Sequence, residues 1–270
     1  MSEKAVMGDN IERYLFVTDF DKTLSMDDTG YHLAEILGLS AEKYDTKVNN
    51  IRRKNTVQLG GELAHLITCD PEFCGRVTRQ MLAEVGRETK LKKNVAELIQ
   101  LLNDGIDNKR FLTYVTSAGP WDLIVSALEG IIPAERIFAT TFICNQKDVL
   151  VDVERTGAGD AKVATIDALK IREKVPRSRI IYVGDGTSDI HVMLHVKAYN
   201  GYPIAVSSSP YMGHIAKRTV ISDNALAVLI PILEEINGYS EDKIIKFFSQ
   251  QKRPIHEWNR ARVEWVDLED

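Results

Sequence analysis

An apolar run, Tyr14-Leu15-Phe16-Val17-Thr18, ends abruptly in two carboxylates one residue apart, Asp19-Phe20-Asp21-Lys22-Thr23-Leu24. The run predicts a buried strand that delivers acids to the rim of a sheet. Residues two apart share a face of an extended chain, so Asp19 and Asp21 should point the same way at the strand's carboxyl end. In an open parallel sheet that edge is where ligands bind. Two like charges this close need a cation between them or a proton on one of them. The pair therefore suggests a metal site, a raised pKa, or both. One carboxylate can act as nucleophile and metal ligand while its neighbour serves as general acid and base.

Two more apolar strands end in the same way. Phe111-Leu112-Thr113-Tyr114-Val115 runs into Thr116-Ser117-Ala118-Gly119-Pro120, where hydroxyls and backbone amides before a helix make a natural anion site. Arg179-Ile180-Ile181-Tyr182-Val183 runs into Gly184-Asp185-Gly186-Thr187-Ser188-Asp189, and Asp185 there is positioned to complete a hard-cation site with Asp19. Lys162 falls in the first turn of a helix spanning 161–174, where the helix dipole disfavours a cation and an anionic partner would explain it.

The segment 25–91 reads as helical throughout. Tyr31, Leu33, Ala34 and Leu37 fall at helical spacing, Ser40 suits an N-cap, Asp70-Pro71 a helix start and Gly86 a stop. Insertions of this size between a strand and its helix usually serve as lids. From Lys92 onward helix and strand alternate. Val95 to Leu102 forms a helix, 138–144 and 149–153 a β-hairpin that could flank the site, 203–206 and 219–221 short strands, and 225–236 a covering helix. Ile255, Trp258, Trp265 and Leu268 recur at near-helical spacing, for docking on the protein's own body or, alternatively, for a homodimer contact.

At 270 residues, with 44% apolar and 27% charged residues, the chain can bury a full core. A net charge of −5 gives no footprint for nucleic acid or anionic membrane. The first 12 residues are polar, with no apolar core of a signal peptide, and no run approaches the ~20 residues that span a bilayer. These features point to the cytoplasm. Cys69, Cys74 and Cys144 fit no metal-ligand spacing and read as buried, reduced thiols.

Taken in chain order, these motifs resemble the haloacid dehalogenase-like (HAD) phosphohydrolase superfamily, in its phosphoserine phosphatase-like branch. Asp19-Phe20-Asp21-Lys22-Thr23-Leu24 matches the D-x-D-x-T-[LV] signature, Thr116 the hydroxyl of the second motif, Lys162 the motif lysine, and 184–189 the acidic fourth motif. The resemblance covers about Tyr14 to Ile221. It implies a Rossmann-like three-layer α/β core with a parallel sheet, formed by 1–24 and 92–270, and an all-helical cap formed by 25–91. It further implies a Mg2+-dependent phosphomonoester hydrolase acting on a small phosphorylated metabolite. Asp19 would be the nucleophile, Asp21 the acid and base, and Thr116 and Lys162 the holders of phosphoryl oxygens. Magnesium would be held by Asp19, Asp185 and the main-chain carbonyl of Asp21, with Asp189 orienting Lys162 or metal-bound water. Thr23, Ser117, Ser188 and Asp28 would contact phosphate or substrate, Asp27 and Asp28 being the acids at the cap entrance that could receive an ammonium. Arg52 or Arg53 would receive a carboxylate. The loop 117–120 lacks the paired glycines usual in phosphoserine phosphatases, and Ser188 stands where they often have asparagine, so the leaving group stays open among phosphoserine-, phosphoethanolamine- and nucleotide-like esters. A phospho-accepting signalling receiver is the rival class, but it carries no large cap after its first strand and needs no acid at the position of Asp21.

Overall fold

The protein is described by a computed structural model covering residues 11–255. In chain order it comprises β1 (Glu12–Thr18), α1 (Thr29–Ile36), α2 (Ala41–Lys54), α3 (Glu62–Cys69), α4 (Arg79–Glu88), α5 (Val95–Asp104), β2 (Lys109–Pro120) and α6 (Trp121–Ala127). There follow β3 (Ile137–Cys144), β4 (Leu150–Arg155), α7 (Asp160–Glu173), β5 (Ile180–Gly184), α8 (Ile190–Ala198), β6 (Tyr202–Ala205), α9 (Pro210–Ile215) and β7 (Arg218–Thr219), then α10 (Leu229–Glu235) and α11 (Glu241–Gln250).

The strands form one sheet in the order β4-β3-β2-β1-β5-β6-β7, all parallel except β4, which returns antiparallel to β3 as the expected hairpin. The chain builds outward from β1 through β2 and β3, then crosses to β5, β6 and β7 on its other side. Connections therefore leave the carboxyl end of β1 in opposite directions, and a crevice opens there.

Both faces of β1 are buried, which is why it reads as a continuous apolar run. Phe16 joins a core on one face with Phe111 and Val115 of β2, Leu98 and Leu102 of α5, and Leu229 and Ile232 of α10. Leu15 and Val17 join a second core on the other face with Tyr182 of β5, Ile166 and Leu169 of α7, and Val192 and Val196 of α8. Helix layers thus sandwich the sheet. Each fully buried side chain of this kind contributes roughly 1.5–3 kcal/mol.

Helices α1 to α4 form an all-helical insertion between β1 and α5, here called the cap. Its two ends are stitched together where they leave the core, by a bridge between Ser25 and Leu91 and by the Lys92 N–H donating to Leu24 O at 2.8 Å. Ser40 caps α2, accepting from Lys43 N at 3.3 Å. The hairpin touches the cap through a bridge between Thr78 and Val149.

The sequence misplaces several local features. Asp70 ends α3 rather than starting a helix, and residues 71–76 form turns. Its carboxylate accepts the Glu72 N–H at 2.9 Å and pairs with Lys47 at 2.6 Å, so its oxygens are spent on a turn and an ion pair. Gly86 lies inside α4, not at its end, because a Cβ there would sit 2.1 Å from the Leu123 carbonyl oxygen of α6. Close helix contact, not helix termination, requires that glycine. Strand β2 continues through Pro120 with a shifted register after Thr116. Residues 225–228 form a tight 3-10 turn before α10, and the last strand is displaced to Arg218–Thr219. Cys69 and Cys74 are exposed, contrary to the expected burial. Trp258, Trp265 and Leu268, like the polar stretch 1–10, lie outside the described residues. No helix among the described residues is long and apolar enough to cross a membrane.

Candidate active site

The carboxyl ends of β1, β2 and β5 lie side by side, and the acids that follow them converge. Asp19 is held directly after β1 by its N–H donating to Val183 O of β5 at 2.8 Å. Its Oδ1 accepts from Lys162 Nζ at 2.9 Å, and the same ammonium donates to Asp189 Oδ1 at 2.6 Å. The Lys162 side chain has no exposed surface, so the first-turn cation is not solvated but aimed into the sheet edge. Tyr182 on β5 donates its hydroxyl to Asp189 Oδ1 at 2.5 Å, and Asp189 Oδ2 accepts the N–H groups of Asp185 at 3.1 Å and Gly186 at 3.3 Å. Asp189 is thereby fixed on both oxygens. A Cβ at residue 184 would lie 2.4 Å from Asp189 Oδ2, so only glycine lets the strand end pass this carboxylate.

Asp19, Asp185 and Asp189 can each offer an oxygen within 4.8 Å of the others. Burial, then repulsion from Asp189, raises the carboxyl of Asp19 well above its usual range, against the pull of Lys162. Asp185 is pushed up to about 7 by burial and by Asp189. Burial alone would depress Lys162, but Asp189 and Asp19 reverse that, and the ammonium is held well above its ordinary value. Lys162 bonds Asp19 and Asp189, while Asp185 feels the charges of Lys22 and Lys162 without bonding either. The set still lacks positive charge, and its all-oxygen donors suit a hard cation such as Mg2+. Asp189 has spent its oxygens on Lys162, Tyr182 and two amides. The Asp185 carboxylate accepts no hydrogen bond among the described residues, which leaves it and Asp19 as the side chains able to hold a metal.

Asp21 is placed differently. Its Oδ1 accepts from both the N–H and the hydroxyl of Thr29 at 2.8 Å, at the start of α1. Its Oδ2 faces Gly119, where a Cβ would come within 3.2 Å. Burial and the nearby charge of Asp28 lift its pKa to about 7, although the two Thr29 hydrogen bonds oppose this. Such a group carries a proton near neutrality yet can release it.

A cleft of about 260 Å³ lies over these groups. It is lined from the core by Asp19, Asp21, Ser117, Gly119, Asp185 and Ser188, and from the cap by Asp28, Tyr31, Tyr44, Asp45, Arg52 and Glu62. Thr116, Thr23 and Arg53, all expected contacts, do not line it. Thr116 is 1% exposed and is not among the residues that line the cleft, and its hydroxyl has no hydrogen-bond partner. Ser117, whose Oγ accepts the Gly119 N–H at 3.1 Å, presents the hydroxyl instead. Thr23 also turns inward, lining a small apolar cavity with Phe16, Leu24 and Asn224. Arg53 bonds Asn50 on the surface, away from the cleft lining.

Tyr31, Tyr44, Asp45, Glu62 and Tyr182 escaped the sequence reading. Tyr44, Val48 and Ile51 do share one face of α2, but that spacing signals a core stripe and cannot tell which member borders a cleft. Cap and core also touch at Gln58, whose Oε1 accepts the Asp160 N–H at 3.1 Å at the start of α7.

No family model matches the sequence, and no curated protein matches it. Solved structures do match the fold. A phospho-aspartyl intermediate analogue of phosphoserine phosphatase superposes with a TM-score of 0.63 at 19% identity, covering 81% of this chain and 98% of that one. A HAD family hydrolase from Salmonella enterica subsp. enterica serovar Typhi gives 0.64 at 18% identity, over 82% and 71% of the two chains. A phosphoserine phosphohydrolase-like protein from Francisella tularensis subsp. tularensis gives 0.62 at 23% identity, over 80% and 99%. The fold is that of HAD hydrolases. The likeness is one of fold, and it extends to the phosphoserine phosphatase structures, with helices α1 to α4 of this chain inserted after the first strand.

Proposed function

We propose that the protein is a phosphomonoester hydrolase that works through an aspartyl-phosphate on Asp19, with Mg2+ as its metal and a small phosphorylated metabolite as its substrate. The observation that carries this reading is the Lys162 ammonium clamped between Asp19 and Asp189 at a cleft that also holds Asp21 near its neutral point. Magnesium, held by Asp19 and Asp185 with the Asp21 main-chain carbonyl, would supply the positive charge that lets an anionic nucleophile approach an anionic ester.

The residues of the chain divide the work. Asp19 attacks phosphorus in line, forming one P–O bond as the bond to the leaving alcohol breaks. Asp21 gives its proton to the departing oxygen. Asp21, now a carboxylate, removes a proton from water, which attacks phosphorus and releases Asp19 and inorganic phosphate. Lys162 and the Ser117 hydroxyl hold the non-bridging oxygens as charge builds on them. Asp189, anchored by Tyr182 and two amides, keeps Lys162 in place. The cap shuts out bulk water and so strengthens each of these charge interactions.

The absence of a membrane-crossing helix among the described residues is compatible with work in the cytoplasm on a diffusible ester. A phospho-accepting receiver is less well supported, because Asp21 would then have no task. The test is phosphate release from a panel of small phosphomonoesters, with Mg2+ and with chelator, beside Asp19→Asn and Asp21→Asn. Turnover that needs Mg2+ and is lost in both variants supports the reading. No turnover of any ester, with a stable acyl-phosphate formed from a small phosphodonor, would favour the receiver.

A further inference from the structure

Helix α7 carries Lys162 in its first turn but brings no side chain of its own to its amino terminus. Gly159 precedes it, with no capping hydrogen bond from a side chain there. The Ala161 and Lys162 N–H groups donate to the carbonyls of Ala158 and Gly159, both at 3.1 Å, so the loop satisfies those two itself. The first amide is satisfied from outside. Asp160 N–H donates to Gln58 Oε1 at 3.1 Å, across 102 residues of chain. The helix that delivers the buried ammonium thus takes its terminal acceptor from the inserted cap.

Both sides of this contact are shaped for it. Gly159 has φ of +54°, and a Cβ there would lie 2.2 Å from Gln58 Oε1, so only glycine admits the acceptor. On the cap side, Gln58 stands in the turn between α2 and α3. Its carbonyl accepts the Gly61 N–H at 2.8 Å, while Glu62, 4% exposed, accepts from Gly60 N–H at 2.9 Å and from Arg52 Nε at 2.8 Å. The turn therefore keeps its shape from within the cap. Gly60, at φ +94°, rests against the core, where a Cβ would come within 3.0 Å of Ala118 Cβ and 3.1 Å of Ser188 Cβ. The core loops at 118 and 188 seat the turn, and Gln58 reaches α7 from that seat.

We propose that Gln58 is a positioning residue, which sets the first turn of α7, and with it Lys162, only while the cap is seated on the core. This rests on the phosphomonoesterase reading above and deepens it. The Lys162 ammonium has to bridge Asp19 and Asp189 and meet phosphoryl oxygens at a fixed reach, and its backbone lies two residues beyond the amide that Gln58 holds. A cap lifted from the core takes the acceptor with it and leaves the Asp160 N–H to water. A neutral amide oxygen suits such a contact, since a carboxylate at a helix amino terminus would bind more strongly and release less readily. Readiness for chemistry is thereby tied to enclosure of the substrate.

The experiment compares the parent with Gln58→Met, which keeps the side-chain length without the acceptor, and with Gln58→Glu, which keeps an acceptor oxygen. Hydrogen exchange of the Asp160 amide is read beside kcat and KM for para-nitrophenyl phosphate with Mg2+. In Gln58→Met the exchange should quicken and kcat should fall, each by about 2- to 30-fold, the range for loss of a helix-capping acceptor, with KM changed by less than about twofold. Gln58→Glu should keep the parent's exchange rate and most of its kcat. An unchanged kcat in Gln58→Met, with or without a raised KM, would mean that Gln58 at most seats the cap, and equal losses in both variants would mean that the acceptor is irrelevant. Either result overturns the assignment. If the parent hydrolyses no ester, the phosphatase reading fails by itself and the exchange alone decides. Faster exchange at Asp160 in Gln58→Met but not in Gln58→Glu supports placement of the helix by the cap, and equal exchange in all three proteins overturns it.

Discussion

Lys162 Nζ reaches Asp19 Oδ1 at 2.9 Å across 143 residues of chain, and neither side chain is appreciably exposed. The pair joins the start of α7 to the end of β1, and Asp189 on the far side of the ammonium closes it from β5. Removing the cation would leave Asp19 and Asp189 buried together. Lys162→Met is expected to lower stability by about 3–5 kcal/mol at neutral pH, as when one partner of a buried pair is deleted. The denaturant midpoint should recover in part at pH 5, where Asp19, whose carboxyl burial already raises well above its usual range, takes up a proton. A midpoint unchanged at both pH values would mean that the cluster carries no such strain.

Asp21 sits near pH 7 because of burial and the charge of Asp28. As general acid it must be protonated when the leaving group departs. For an alkyl phosphate, kcat should fall as pH rises through about 7, while para-nitrophenyl phosphate, whose phenolate leaves unaided, should show a flatter profile. Asp21→Asn should cost the alkyl ester about 10²–10⁴-fold and the nitrophenyl ester far less in its first step. Parallel profiles for the two esters would remove Asp21 from the acid role.

Metal and protons compete for the same carboxylates. Asp21 and Asp185 ordinarily titrate at 3.8 and are raised to about 7 in the fold. Their protonated forms are favoured by folding, so their contribution is full below about pH 4 and is lost as pH rises through 7. The opposite case, Glu72 lowered to about 2 by Lys43 and Lys47, contributes fully above about 4.5 and is lost only as pH falls through about 2, outside this window. Between pH 5 and 8 the metal-free protein should therefore lose thermal stability from the two raised acids. Added Mg2+ should raise the melting midpoint more at pH 8 than at pH 5. Equal shifts at both pH values would argue against metal at these acids.

Gly86 tests the cap-to-core packing apart from the chemistry. Alanine inside a helix normally gains about 1 kcal/mol over glycine. Here the new methyl would meet the Leu123 carbonyl oxygen at 2.1 Å, and overpacking of that kind costs about 1–3 kcal/mol. Gly86→Ala should therefore destabilise on balance, as read from the urea midpoint. A stabilised variant would show that α4 and α6 separate easily.

The layered fold was legible because β1, β2 and β5 are buried on both faces and so read as continuous apolar runs, each ending in polar residues at one rim. The acids Asp19, Asp21 and Asp185 were legible because strand ends fix direction. Which hydroxyl of Thr116 and Ser117 faces the cleft was not, since that depends on where the pleat stands when β2 outruns its apolar core. Thr23 failed for a similar reason, in that a motif threonine can serve the loop's own packing. Gly86 and Asp70 carry ordinary helix punctuation, yet tertiary contacts with Leu123 and Lys47 decide their places. Tyr44 and Asp45 in the cap were invisible because helical spacing reports a buried face, not the neighbour that face meets.

The most direct measurement is where phosphate attaches. Asp21→Asn protein with Mg2+ and para-nitrophenyl phosphate, quenched in acid and mapped by peptide mass spectrometry, should carry a hydroxylamine-labile phosphate on the peptide containing Asp19. The same treatment of Asp19→Asn should give none, and its turnover should fall by at least about 10³-fold. Phosphate on another residue, or Asp19→Asn turning over at the parent rate, would contradict the aspartyl-phosphate mechanism.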